Sequence, residues 1–159
     1  YIGKYLTWAS YEPEDEGVTI VYGSIHGHTA KAAKLMQKML EDRGQKVEIF
    51  DLARDDMAEA IECAYRYDKL VIATVTYDAG VFPVVEDFVY HLKLKNYQKR
   101  TVGIIQNGSW GPVAGKKVKE AMETLKDIKI VDPMVTIRSA LKEGNLTAME
   151  ALADALVAK

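Results

Sequence analysis

Cysteine is nearly missing from this chain. Cys63 is the one instance, which excludes an intramolecular disulfide and any C-x-x-C metal or redox site. Long apolar runs are missing too. No stretch approaches the roughly 20 residues a bilayer-spanning helix needs, and no charged, apolar, small-residue order marks a secretory signal; a cytoplasmic location is expected. Charge of one sign is also lacking: 21 Lys and Arg against 23 Asp and Glu leave a net −2, which excludes the basic footprint of a nucleic-acid binder. Common nucleotide motifs are absent as well. No G-x-G-x-x-G follows the first strand-like segment, the Rossmann acidic residue has no clear counterpart, and no G-x-x-x-x-G-K-[ST] occurs, Lys31 falling inside a helix. Neither ATP hydrolysis nor Rossmann-type NAD binding is supported. Ser24 has no G-x-S-x-G elbow and no evident His/acid pair, so it is not read as an acyl-transfer nucleophile.

What is present fits one domain with a sizeable core: 159 residues, 48% of them hydrophobic and 28% charged. Residues 1–17 read differently from the rest. Tyr1, Tyr5, Trp8 and Tyr11 give way to the acidic Glu12-Pro-Glu-Asp-Glu-Gly17, an aperiodic stretch expected to be an interdomain linker or lead-in. The chain starts at Tyr1 rather than Met, and a fragment or excised domain is expected.

From Val18 to Lys159 strand-like and helix-like segments alternate. Strands are expected at 18–23, 46–50, 69–75, 101–106 and 134–137. Helices are expected at 29–43 (closed by Gly44), from a cap at Asp55 to about Tyr65, from Pro83 through Leu92, at 113–126 and at 146–158. Cys63 falls on the second helix beside Ile61 and Ala64, the setting of a packed thiol. This alternation predicts an α/β fold, a doubly wound five-stranded parallel sheet with helices on both faces.

Such a sheet binds ligands beyond the carboxyl ends of its strands, where the strand order reverses. Three strands end in loops of one character: Ser24-Ile25-His26-Gly27-His28-Thr29, then Thr74-Val75-Thr76-Tyr77-Asp78-Ala79-Gly80 running on to Phe82-Pro83, then Asn107-Gly108-Ser109-Trp110-Gly111-Pro112. The first sets free N–H groups and hydroxyls at the positive end of a helix and suits a phosphate. The others add small residues that let a planar ligand approach and aromatics that cover its faces. A phosphorylated aromatic ring system fits best. Loops at the other edge (42–45, 95–99) are charged and plain.

On these residues the chain resembles the flavodoxin-like FMN domains. Ser24, Gly27 and Thr29 match the hydroxyl-x-x-Gly-x-Thr of the phosphate loop. More closely it is similar to the C-terminal domain of flavodiiron proteins (A-type flavoproteins). Thr74-Val75-Thr76-Tyr77 with Phe82-Pro83 stands for their Ser-Pro-Thr-Tyr and Phe-Pro, Gly108-Ser109-Trp110-Gly111 for their Gly-Ser-aromatic-Gly, and Tyr5-Leu-Thr-Trp8 for the join between metal and flavin domains. Val75 in place of Pro and the two loop histidines depart from the pattern.

The resemblance implies the strand order 2-1-3-4-5 and FMN as cofactor, with no metal ligand and no catalytic residue in this chain. It also implies electron relay to a β-lactamase-like di-iron domain, in the same or a partner chain, that reduces dioxygen or nitric oxide. With only His26, His28 and His91 and no H-x-E-x-D cluster, this chain cannot itself hold that di-iron site. A redox donor such as rubredoxin or a reductase is a further implied partner, and a homodimer an implied assembly; no nucleic acid or membrane is. Ser24, His26, His28 and Thr29, with the N–H groups of 25–29, would hold the phosphate. Thr76 and the backbone near Tyr77 would meet the ribityl chain, Tyr77 and Trp110 would flank the isoalloxazine, and the N–H groups of 107–111 would face its pyrimidine edge.

Two readings of His26 and His28 stay open. They are solvated loop residues sharing one phosphate contact, or a phosphate dianion favours the protonated imidazole, so that FMN affinity falls as pH rises. His91 reads as structural or surface, and Asp78 and Asp87 as a solvated loop edge. The alternative function is a stand-alone flavodoxin-like NAD(P)H:quinone oxidoreductase. A response-regulator receiver would need clustered acids where Gly23-Ser24 stand, and an Asp at Val75-Thr76. A domain that has lost its flavin and serves only assembly is a third reading.

Overall fold

In the computed structural model of this chain, the described residues are 15–23, 28–77, 80–81, 83–94, 97, 100–107, 114–125, 128–131, 134–137 and 143–157. The lead-in aromatics at 1–11 lie outside them. Chain order runs β1 (Asp15–Tyr22), α1 (His28–Asp42), β2 (Val47–Asp51), α2 (Met57–Arg66), β3 (Tyr67–Tyr77), β4 (Gly80–Val81) and α3 (Pro83–Leu94). It continues with β5 (Arg100–Asn107), α4 (Ala114–Glu123), β6 (Ile128–Ile130), β7 (Val135–Ile137) and α5 (Glu143–Val157).

β3 is the centre of the sheet because it is apolar in both parities. Leu70 and Ile72 enter one core, Val71 and Ala73 the other, and all four are fully buried, as a parallel strand covered on both faces requires. β1 and β5 flank it, β2 lies beyond β1, and β6 and β7 pair in succession with β5. Counted by lanes the order is 2-1-3-4-5, as the resemblance implies. Helices α1 and α5 cover one face through Ala32, Ala33, Met36, Leu40, Met149, Leu152 and Leu156. Helices α2, α3 and α4 cover the other through Ala60, Ile61, Val85, Phe88, Leu92, Val118 and Met122.

Local chemistry sets the ends. After α1, Gln45 N donates to Leu40 O and Gly44 N to Glu41 O, both at 3.0 Å. This Schellman pair requires the φ of +82° that Gly44 adopts. The α2 cap lies one residue beyond its expected place. Asp56 accepts from Ala58 N at 2.9 Å, while Asp55 accepts from Asp51 N at 2.7 Å and closes the turn after β2.

Three further boundaries depart from the sequence reading. β1 begins at Asp15, inside the acidic stretch, because the Gly17 N–H donates to the Asp68 carboxylate at 2.9 Å and Asp15 pairs with Tyr67. The fifth lane is split: Ile128–Ile130, outside the single strand expected at 134–137, pairs with Arg100–Val102, and Val135–Ile137 pairs with Ile105–Asn107. Lastly, α4 ends at Glu123 instead of Lys126, as Thr124 N and Leu125 N turn back to Ala121 O and Met122 O.

Candidate cofactor site

Carboxyl ends of β1, β3 and β5 stand side by side. Tyr22 is in register with Ala73, and Val75 with Asn107. From β1 the chain passes through α1 to β2 on one side of it, then returns through α2 to β3 on the other. The strand order therefore reverses between β1 and β3, which places the binding crevice of a doubly wound sheet there. Gly23 N closes that edge by donating to Ala73 O at 3.3 Å.

Helix α1 aims its N-terminus at this crevice. Its 15 residues start at His28, and its first turn carries no acidic residue. On the same edge, α2 and α3 carry Glu59 and Glu86 in theirs. A carboxylate there would compete with an incoming anion for the helix's positive end, and α1 lacks one. Thr29, in that first turn, is 2% exposed. A buried hydroxyl on a carboxylate-free helix start is a donor set that fits the phosphate of FMN.

Across the crevice Thr74 is fully buried at the end of the central strand. Here the structure corrects the loop expected from Thr74 onward. Residues Thr74, Val75, Thr76 and Tyr77 continue β3, and the chain folds back so that Thr76 pairs with Val81 and Tyr77 with Gly80. Asn107 likewise is the last residue of β5. The structure describes only the backbone of His28, Val75, Thr76, Tyr77, Gly80 and Asn107. Ser24, Ile25, His26, Gly27, Asp78, Ala79, Gly108, Ser109, Trp110 and Gly111 lie outside the described residues.

Sequence reasoning passed over two neighbours of this edge. Tyr22, the last residue of β1, is 8% exposed; burial first, and then the carboxylates of Asp51 and Asp55, push its phenol upward and keep it neutral. Gln106, which interrupts the apolar run of Ile104 and Ile105 in β5, donates from Nε2 to Thr136 Oγ1 at 2.9 Å. That interruption was the signal that could have found it. Away from the edge, Cys63 is half-buried and accepts a hydrogen bond from Thr19 Oγ1 at 3.2 Å, its thiol pushed up by burial. His91 lies on the surface of α3, with Nδ1 2.8 Å from Asp87 O. Among the described residues, no group of three His, Cys, Asp or Glu could hold a metal, and no helix is long and apolar enough to cross a membrane.

The sequence profile of flavodoxin matches residues 20–151. The chain belongs to the flavodoxin family. Its cofactor is FMN, and its chemistry is electron transfer. Among curated relatives, coenzyme F420H2 oxidase of Methanothermobacter marburgensis is 27% identical over 80% of the chain and 30% of its own length. Rubredoxin:oxygen oxidoreductase of Desulfovibrio gigas superposes with a TM-score of 0.88 at 17% identity, covering 98% of this chain and 38% of that one. A flavodoxin from the domain Archaea gives 0.74 at 18% identity over 86% of this chain and 93% of its own. This flavodoxin-family chain thus spans about a third of the length of the two oxidoreductases it resembles.

Proposed function

We propose that this chain is the electron-input unit of a flavodiiron-type oxidoreductase, passing electrons from FMN to a β-lactamase-like di-iron domain that its residues do not contain. One observation carries the reading: the likeness to rubredoxin:oxygen oxidoreductase extends over 98% of the chain, whereas the archaeal flavodoxin accounts for 86%. The name of the curated relative, an oxidase, agrees. On this reading a small redox donor such as rubredoxin or a reductase feeds the flavin, and dioxygen or nitric oxide is the terminal acceptor.

FMN, when bound, supplies the redox chemistry. The chain's own residues bind, orient and tune. Thr29, Ser24, His26 and His28 with the N–H groups of 25–29 hold the phosphate at the start of α1. Thr76 and the backbone at Tyr77 to Gly80 meet the ribityl chain. Tyr77 and Trp110 would cover the ring faces and exclude water, each good offset contact being worth about 1 kcal/mol beyond burial. N–H groups of 107–111 would offer partial positive charge to the pyrimidine edge.

Two measurements test this. Titrating the chain with FMN while following flavin fluorescence should give saturable quenching at one FMN per chain; no uptake overturns the cofactor assignment. Chemically reduced, FMN-loaded chain should then be reoxidised faster with the di-iron half of a flavodiiron protein than with dioxygen alone. Equal rates overturn the relay and leave FMN binding intact.

A further inference from the structure

A row of three polar residues crosses the carboxyl ends of β3, β5 and β7. Thr74 is in register with Gln106, and Gln106 with Thr136. Register partners in parallel strands project from the same face of a sheet. Two residues earlier on that face stand Ile72 and Ile104, fully buried in the core beneath α2, α3 and α4. On the opposite face the adjoining row is Ala73, Ile105 and Val135, fully buried as well. The polar row is thus an island at the rim of an apolar core. Thr74 is completely covered and Gln106 is 7% exposed.

A buried amide is tolerated only when bonded, and a Met at 106 would simply extend the apolar row begun by Ile104. The split fifth lane gains from the glutamine. β7 is three residues long, separate from β6, and among the described residues it pairs with β5 along Ile105–Asn107. The bond from Gln106 Nε2 to Thr136 Oγ1, at 2.9 Å, ties the two strands at the middle of that contact. The very next residue, Asn107, leads into the loop assigned to the flavin ring, and Thr74 precedes the other ring loop.

We propose that Gln106 is a positioning residue for the ring end of the flavin site. By locking the carboxyl end of β5 to β7 through Thr136, it fixes where β5 ends at Asn107, the residue from which the chain enters the stretch assigned to the flavin ring. The inference rests on the cofactor site proposed above.

The test compares wild type with Gln106→Met, Thr136→Val, the double variant and Thr136→Ser. Each is titrated with FMN and with riboflavin, and its flavin absorption band shape and thermal midpoint are recorded. Gln106→Met and Thr136→Val should keep their midpoints within about 4 °C of wild type. Both should bind FMN and riboflavin about tenfold more weakly, as a displaced end of β5 forfeits about one good hydrogen bond to the flavin. The factor should be the same for both flavins because the phosphate end is untouched, and the band shape should shift. The double variant should be no weaker than Gln106→Met, and Thr136→Ser should match wild type. Wild-type affinity in Gln106→Met overturns the role, and so does a loss for FMN alone. A Thr136→Ser variant as weak as Thr136→Val does the same. If Gln106→Met does not fold, Thr136→Val against Thr136→Ser decides. A wild-type chain that takes up no flavin overturns the cofactor site itself; one that binds while every variant equals it overturns only the part given to Gln106.

Discussion

Arg100 donates from Nη2 to the backbone carbonyl of Tyr65 at 2.6 Å. The first residue of β5 thereby caps the last turn of α2 from across the core, at the edge of the sheet away from the cofactor site. Arg100 is 3% exposed, and its guanidinium lies over the rings of Tyr97 at 5.4 Å and Tyr65 at 6.0 Å. Those rings meet edge to face at 5.2 Å. A cation at the negative end of a helix, bonded and stacked, is the arrangement in which a buried charge is held.

Arg100→Met should therefore lower unfolding free energy by about 1–3 kcal/mol, the cost of stranding a buried carbonyl that a charged donor satisfied. Arg100→Lys should recover little, because a point charge neither stacks nor forks. Urea unfolding measures both, and flavin affinity at the far edge should not change in either.

Tyr97→Phe should be neutral or slightly stabilising at pH 7. The ring is fully buried, and its hydroxyl finds no hydrogen-bond partner among the described residues, so its removal discards an uncompensated polar group. The pH profile is sharper. Burial pushes the Tyr97 phenol far above its ordinary 10.0. A group raised in the folded state stabilises fully below the unfolded value and loses that contribution as pH climbs past it, since only the unfolded chain then releases the proton. Wild type should lose stability above pH 10.0, and Tyr97→Phe should show a shallower decline, as read by thermal melts through the alkaline range.

Gly17→Ala should destabilise by about 1–3 kcal/mol, the range for forcing a methyl into a packed site. A Cβ there would lie 2.6 Å from the Tyr67 ring and 2.9 Å from the Lys46 carbonyl, and the latter is backbone that cannot swing aside. A melt unchanged from wild type would show that the acidic stretch is not packed into the sheet at Gly17.

FMN affinity should fall as pH rises from 5.5 to 8.5 if the phosphate is held in part by protonated His26 or His28, since an anion favours the charged imidazole and the contribution is lost as the proton leaves. Riboflavin, without the phosphate, should show no such slope. A flat FMN profile that a His26→Ala/His28→Ala variant reproduces would assign both residues to solvent.

Much of the architecture is legible in residue order. The two-parity apolar run around Leu70–Ala73 suits a strand covered on both faces. The spacing of Ala33, Met36 and Leu40 can only bury one helical face, and Gly44 stops that helix by its own backbone freedom. The ends of β1 and β5 are legible too, because glycines and hydroxyls break off each apolar run. The boundaries needed the third dimension. Gly17 reads as linker until Asp68, 51 residues on, supplies its acceptor. Thr74–Tyr77 reads as loop until Gly80–Val81 folds back to pair with it.

The alternation of strands and helices, and with it a parallel sheet covered on both faces, was thus determined by sequence alone, since periodicity and turn chemistry are local properties; the strand order was implied only by the likeness to flavodoxin-like domains. Tertiary structure decided that Asp56 rather than Asp55 caps α2, that the fifth lane is two short strands, and that Gln106 meets Thr136. Each of those outcomes depends on which of several chemically equivalent groups is brought within about 3 Å of a partner, and chain order alone does not contain that distance.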